Sequence, residues 1–386
     1  MVKLHKRDEE NLCSCDKMTG NVKKLLFYWL TSAILSLKVN RLTKGRGCRE
    51  LEMKRVTIND IAKACHTSKA TVSYVINERY NKVSEEMVEK VQKAIKDLGY
   101  VPSLSAKSLA GRGSNLIGVI IPQMDVSEKL IFDNPFYSEF LSGIEYYLRK
   151  KGYGVVLSVV TRNNRFEELV KKWNLDGAII FGIDNDGMLK RLGGHRFPML
   201  LIDSYVTDPD YYRMNLRDEE ACYEATRFLL REEGKIALVT GQISQSRLLE
   251  KRVDGYRRAL EEVNAKVDEE LIFQGDITYE YGQTAATEIA KHPEVTKVLA
   301  TADVLARGVI NYLQSVGIRV PEECEVMGFD NTYQSRNIHP RLTTVGQNIS
   351  ERGEMAGKLI LKIIGQEEVP KETYSDFQII EGDTTK

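Results

Sequence analysis

Residues 56–77 read VTINDIAKACHTSKATVSYVIN. The run opens on a capping signal. Thr57 stands at the N-cap position and Asp60 three residues on, where its carboxylate can reach back to the free amides of a first turn. Ile58, Ile61, Ala62 and Cys65 then recur at i, i+3, i+4 and i+7, one apolar face of a short helix. The helix is expected to stop near Cys65–Thr67. Ser68 caps a second helix, in which Val72, Val75 and Ile76 form the buried stripe while Lys69, Ala70, Ser73, Tyr74 and Asn77 fall on the opposite side. A third helix starts at Ser84, with Glu85 and Glu86 at its positive end. It buries Val88, Val91, Ile95 and Leu98, and Gly99 ends it. Two short helices around a tight turn, braced by a third, describe a helix-turn-helix, although a plain three-helix bundle shares the periodicity. The exposed face of the second helix favours the former. Small residues there allow close approach to a groove, and polar ones can bond base edges or phosphates.

Beyond Leu116 the periodicity changes. Apolar runs at Leu116–Ile121, Val155–Val160, Ala178–Phe181, Met199–Ile202, Ile236–Val239, Val298–Ala300 and Val326–Phe329 read as strands. Amphipathic stretches at Phe136–Lys150, Glu219–Arg231, Arg247–Val263, Tyr279–Ala290 and Val304–Val316 read as helices between them. Such alternation implies parallel sheets with helices on both faces. Roughly 270 residues are too many for one such sheet, so two similar lobes are expected. The expected fold is an α-helical helix-turn-helix head joined to an α/β body of two parallel-sheet lobes.

Ligands bind these sheets at the carboxyl ends of the strands. There the sequence places Asn134-Pro-Phe-Tyr137, Asp203 after LLI, Arg252 on the helix after VTG, Asp303 after LAT, Asp330 after VMGF and Gln347 after LTTVG. Carboxylates, an amide, a guanidinium and the rings of Phe136 and Tyr137 suit a polyhydroxylated ligand, whose hydroxyls pair with polar groups while a ring packs on its apolar face. For any one of these residues a helix cap or an ion pair is an equally good reading.

Formal net charge is zero over 386 residues, but it is unevenly spread. Met1–Lys54 carries 12 Lys+Arg against 6 Asp+Glu and Arg55–Ser114 carries 10 against 6, leaving an acidic remainder. A basic front on an acidic body fits a nucleic-acid-binding head. The six cysteines form no CxxC pair and no zinc-spaced cluster with histidine, so neither metal nor cofactor is expected. Cys65, Cys222 and Cys324 are scattered singly, as in a reducing cytoplasm. The sequence has no nucleophile elbow, phosphate-cradling glycine loop or paired-carboxylate motif, which argues against an enzyme. Leu25–Leu37 is an apolar run of about 13 residues, short of the ~20 of a membrane span. No cleavage pattern follows it, and Met53 opens the ordered pattern. The expected reading is that Met53 is the natural start; the rival is a genuine extension that touches a membrane.

Residues 56–122 resemble the opening of the LacI/GalR (lactose-repressor) family of transcription regulators, through VTINDIA, SKATVSYVIN, KVSEEMVEKV, LGYVPS, SAKSLA and NLIGVIIP. NPFYSEFLSGIEYYLRKKGY, LDGAIIFG, PMLLIDS, KIALVTG, RVDGYRRAL, VPEECEVMGFDN and HPRLTTVGQNISERGEMAGKLIL are similar to the periplasmic-binding-protein-like core of that family. The resemblance covers about residues 55–380. It implies an extension at 1–54, a helix-turn-helix domain at 55–101, a hinge helix and linker at 102–114, and an effector-binding core at 115–386. In that core the first lobe takes about 115–214 and 346–372, the second about 215–345 and 373–386.

By the same resemblance Lys69 and Ala70 read bases in the major groove, with Tyr74 where the family most often has arginine and His66 in place of the usual turn glycine. Thr57, Ser68, Thr71, Ser73, Asn77 and Ser84 are then the phosphate-side contacts. Phe136, Tyr137, Arg252, Asp330 and Gln347 hold the effector, with Asp203 and Asp303 beside them. Ala302 stands where a sugar-binding asparagine is common, and Thr161–Leu175 is shorter than usual. The implied partners are pseudo-palindromic operator DNA, a small carbohydrate or related metabolite, and a second copy of the chain, which ends at Lys386 without the leucine-heptad tail of a tethered tetramer. The implied role is a cytoplasmic repressor of carbohydrate-utilisation genes.

Ser103–Ala110 is too short to hold a helix alone, since isolated helices under ~12–15 residues are marginal in water. The resemblance makes it a hinge that folds on DNA, with Ala106 and Leu109 among the contacts and Leu109 wedged into the minor groove. Leu109→Ala is therefore expected to weaken specific binding more than non-specific binding. Titration of operator and scrambled duplexes checks this, and an unchanged specificity ratio would sink the wedge.

Overall fold

The computed structural model describes residues 56–100, 113–122, 130–160, 166–183, 189, 197–337 and 339–386. The expectations placed on residues 1–54 and on the hinge, Ala106 and Leu109 included, lie outside these. The chain divides into two compact units, residues 1–103 and 104–386.

In the first unit α1 (Ile58–Ala64), α2 (Lys69–Ile76) and α3 (Glu85–Leu98) pack together. Asp60 does reach back: its Oδ2 accepts from the Thr57 amide at 2.9 Å and from the Thr57 hydroxyl at 2.6 Å. Ser68 caps α2 by accepting from the Thr71 amide at 3.1 Å. His66 adopts φ 51° in the turn between α1 and α2, and Gly99 ends α3 at φ 64°. Ile61, Ala62, Cys65, Val72, Val75 and Val91 are the core. One expected member is missing, because Leu98 is 42% exposed. The left-handed turn at Gly99 brings Tyr100 back over α3, its amide bonded to the Ile95 carbonyl at 3.0 Å. The tyrosine ring, rather than the leucine, joins the core.

The second unit starts with the first lobe: β1 (Leu116–Pro122), α4 (Pro135–Lys150), β2 (Gly154–Val160), α5 (Phe166–Trp173), β3 (Gly177–Phe181), β4 (Met199–Ile202) and β5 (Tyr212–Leu216). The chain crosses at Arg217 into the second lobe. This holds α6 (Asp218–Leu229), β6 (Lys235–Gly241), α7 (Arg247–Glu262), β7 (Ile272–Gly275), α8 (Tyr279–Ile289), β8 (Val295–Ala300), α9 (Asp303–Ser315), β9 (Glu325–Asp330), α10 (Tyr333–Arg336) and β10 (Thr343–Gly346). It returns through Gln347 and Asn348 to α11 (Ile349–Ile364) and β11 (Glu372–Ser375), then crosses a third time to β12 (Gln378–Ile380).

The sheets run β11-β5-β4-β3-β1-β2 and β12-β10-β9-β8-β6-β7. Every pairing is parallel except that of β12, which lies antiparallel to β10. The crossovers fall slightly later than expected, because β5, β10 and β11 each run on to the sheet margin. There Ser375 pairs with Leu216 and Gly346 with Gln378, so the three crossing segments lie side by side.

The body begins at a clamp. The Asp176 carboxylate accepts from the Ser114 amide and hydroxyl at 2.7 and 3.0 Å and from the Asn115 amide at 2.8 Å. Helix α11, returning from the second lobe, is seated on α4 by direct backbone contact. A Cβ on Gly143 would lie 2.0 Å from the Ser350 carbonyl oxygen, and one on Gly353 would lie 2.2 Å from that of Phe140. Gly143→Ala must push the helices apart and is expected to cost about 1–3 kcal/mol. A fall in the urea midpoint at constant slope would register this; an unchanged midpoint would mean that the helices are not in contact.

Candidate functional site: an interlobe crevice and a recognition helix

Within the body a cavity of about 250 Å³ lies where the carboxyl ends of the two sheets face each other. Phe136, Tyr137, Asp203, Arg252, Asp330 and Gln347 all line it. The local sequence explains their placing. Asn134 caps α4 by accepting from the Phe136 amide at 3.0 Å, and Pro135 pre-sets the first turn. The cap fixes Phe136 and Tyr137 at the mouth, where they join Phe140 and Phe181 in a cluster with ring centroids 5.0–5.8 Å apart. Asp203 follows β4 at φ 50°, and Asp330 ends β9 at φ 116°.

A chain of buried polar bonds runs along the floor. Arg352, 2% exposed on α11, donates from Nη2 to Asp203 at 2.5 Å and from Nη1 to the Gln347 side-chain oxygen. Gln347 donates in turn to Asp330 at 2.6 Å. Arg252 donates from Nε to Asp218 at 2.8 Å and from Nη1 to the Thr301 carbonyl at 2.6 Å, and its guanidinium lies 3.6 Å from the centre of the Phe329 ring. Tyr205 closes this group by donating to Asp218 at 2.6 Å. Burial pushes Asp218 and Asp330 above the usual carboxylate range, with Arg252 pulling both back. Burial, then the Asp218 charge, drives the Tyr205 phenol far above its ordinary value, so it serves as a hydrogen donor at every physiological pH.

Asp303 is a correction. It does not line the cavity. Its Oδ1 accepts from the Thr344 hydroxyl at 2.6 Å and its Oδ2 from the Thr332 amide at 2.7 Å, which ties α9 to β10 and to the turn after β9. A Cβ on Gly328 would come within 2.5 Å of the same carboxylate, so that glycine makes room for it. Burial raises Asp303 to about 6 against these hydrogen bonds. Ala302 does face the cavity, as an apolar patch.

Sequence reading missed Tyr205, Asp218, Arg352 and Glu139. Glu139, on α4, accepts from Arg336 Nη2 at 3.1 Å and from the Tyr333 amide, spanning the lobes at the rim. Only Arg352 left a trace, as a cation inside the otherwise apolar face of α11.

In the first unit, α2 keeps Ser68, Lys69 and Ala70 exposed and Thr71, Ser73, Tyr74 and Asn77 half-buried; Thr57 and Ser84 are exposed at the starts of α1 and α3. The Lys82 ammonium lies 5.3 Å from the centre of the Tyr74 ring. The Asn77 amide group turns back to the Ser73 carbonyl at 2.8 Å, a C-terminal cap. Among the described residues no group of three His, Cys, Asp or Glu side chains could hold a metal ion, and no helix is long and apolar enough to cross a membrane.

The family description "Bacterial regulatory proteins, lacI family" matches residues 57–103, and "Periplasmic binding protein-like domain" matches residues 225–385. The transcriptional repressor PurR of Vibrio atlanticus is 31% identical over 340 residues, which span 86% of this chain and 98% of that one. The chain belongs to the lacI family. A second lacI-family relative, catabolite control protein A of Priestia megaterium, is 34% identical over 322 residues, 81% of this chain and 94% of that one. Membership makes the protein a DNA-binding transcription regulator. Among solved structures, the regulator CelR in complex with cellobiose aligns with a TM-score of 0.62 at 25% identity, over 86% of this chain and 100% of that one. The lac repressor dimer bound to operator and the anti-inducer ONPF gives a TM-score of 0.73 at 23% identity, over 86% and 99%, and shares the fold.

Asp303→Ala would leave a buried amide and a buried hydroxyl without their acceptor, at a cost of about 1–3 kcal/mol. The expected outcome is a lower denaturation midpoint with ligand affinity nearly unchanged. A large loss of ligand affinity at constant stability would return Asp303 to the binding site.

Proposed function

We propose that this lacI-family protein is a dimeric, cytoplasmic repressor of carbohydrate-utilisation genes, without enzymatic activity, whose operator affinity is set by a small sugar-like effector held in the crevice. The observation that carries the reading is the composition of that crevice. A wall of aromatic rings faces carboxylates, an amide and a guanidinium across a space suited to one polyhydroxylated ring. The CelR–cellobiose complex supports a saccharide as the class of ligand.

In this reading Lys69 and Ala70 meet bases, Tyr74 meets a base edge or backbone, and the hydroxyls of Thr57, Ser68, Thr71, Ser73 and Ser84 meet phosphates. Asn77 acts by fixing the end of the recognition helix. Asp203 and Asp330 belong to different lobes, so an effector touching both favours one lobe arrangement over another. By linkage it then favours or disfavours the DNA-binding state by that same difference in affinity.

Fluorescence anisotropy of the full chain, and of residues 53–386, against the DNA upstream of its own gene tests this, with a scrambled duplex as control, a salt titration and a panel of sugars. The expected result is tight binding to the first duplex alone, altered by at least one sugar. Weak binding, equal on both duplexes and lost at modest salt, would mean phosphate contact only. If that persisted on selected DNA libraries, the repressor reading would fail.

A further inference from the structure

The crevice holds more negative charge than positive. Asp203 and Asp330 line it, and Asp218 stands directly behind Arg252. Against these three carboxylates stand two guanidiniums, Arg252 and Arg352, and neither lysine nor histidine is among the lining residues. Both guanidiniums are committed. Arg252 is paired with Asp218 and the Thr301 carbonyl, and Arg352 with Asp203 and Gln347. Asp330 is bonded to an amide and to no cation, and Asp303 lies close enough to repel it.

The backbone points the same way. Asp203 and Asp330 both sit at positive φ, a region that favours glycine, and φ 116° at Asp330 is far from any comfortable well. Strain of this kind persists where a side chain is needed in one place.

We propose that the crevice selects an uncharged polyhydroxylated ring and rejects its anionic derivatives, phosphate esters and uronates, with Asp330 as the discriminating residue. One ligand hydroxyl donates to the unbonded Asp330 oxygen, and a neighbouring hydroxyl oxygen accepts from the remaining amino group of Arg252. A ligand anion would meet the uncompensated carboxylate in a water-poor space. Burial already drives Asp330 toward its protonated form, so an anion could enter only with a proton. The proposal rests on the effector reading above and narrows it to one chemical class.

The test is calorimetry on the full-length chain. The probes are neutral pentoses and hexoses, the phosphate esters of the same sugars, and the matching uronic acids. The expected result is that a neutral sugar binds while its phosphate and uronate bind roughly 100-fold more weakly or worse, the scale of a like-charge juxtaposition. Asp330→Asn, which keeps an acceptor for Gln347, should narrow that gap about tenfold or more, mainly by gain of anion binding. If the variant fails to fold, the wild-type comparison decides alone. A phosphate or uronate that binds the wild type as tightly as the neutral sugar overturns the proposal. An unchanged gap in Asp330→Asn overturns the role given to that residue. Failure of neutral and charged sugars alike would instead remove the effector reading, a separate result.

Discussion

Arg352 is held in the seam of the body by two bonds that lead to different lobes. One goes straight to Asp203 of the first lobe. The other goes through Gln347, at a crossover, to Asp330 of the second. Stripping water from a guanidinium is costly, and the loss is recovered only when its partners are well placed. The arginine therefore fixes both crevice carboxylates, and the geometry of every group a ligand would meet follows from it. Removing one partner of such a pair strands a buried charge, which typically costs about 3–5 kcal/mol.

The rest of the seam is polar as well. Asp218 and Tyr205 bind each other across the first crossover, Arg247 donates to the Tyr205 carbonyl at 2.8 Å, and Glu139 reaches α10 at the rim. The apolar cores, by contrast, stay inside single lobes: one of them gathers β1, α4, β3 and α11, another β6, β8, α8 and α9. Hydrogen bonds can be exchanged for those of a ligand at little net cost, whereas packed apolar surface cannot. The body is thus divided into stiff parts and an exchangeable boundary, the condition for two lobe arrangements of similar free energy.

Much of this was readable in the sequence because it is local. The Thr57–Asp60 pair, the Ser68 cap and the Gly99 stop are short-range chemistry, and the apolar runs of β1, β3, β4 and β8 are buried on both faces. Strand β5 (YRMNL) and strand β10 (TTVG) escaped because their polar residues are satisfied only by distant partners. Asn215, for instance, accepts from the Ser204 amide at 2.9 Å. Asp303 was misread for a related reason. A carboxylate at the start of a helix after a strand looks the same whether it faces a ligand or two buried threonines. Asp218 and Arg352 lie beside crossovers, and nothing in a one-dimensional pattern marks where a chain changes lobes.

The clamp at Asp176 has a mechanical side. Three hydrogen bonds to one carboxylate leave the start of the body no play, so residues 114 and 115 travel as a rigid part of the first lobe. A frayed exit would absorb the first ångströms of any lobe rotation as slack. A clamped one passes the displacement undiminished to whatever chain precedes it, with a lever arm equal to its distance from the crossovers. β1 lies at the far side of β3, β4 and β5 from those crossovers, so a small angle at the crevice becomes a larger excursion at the exit.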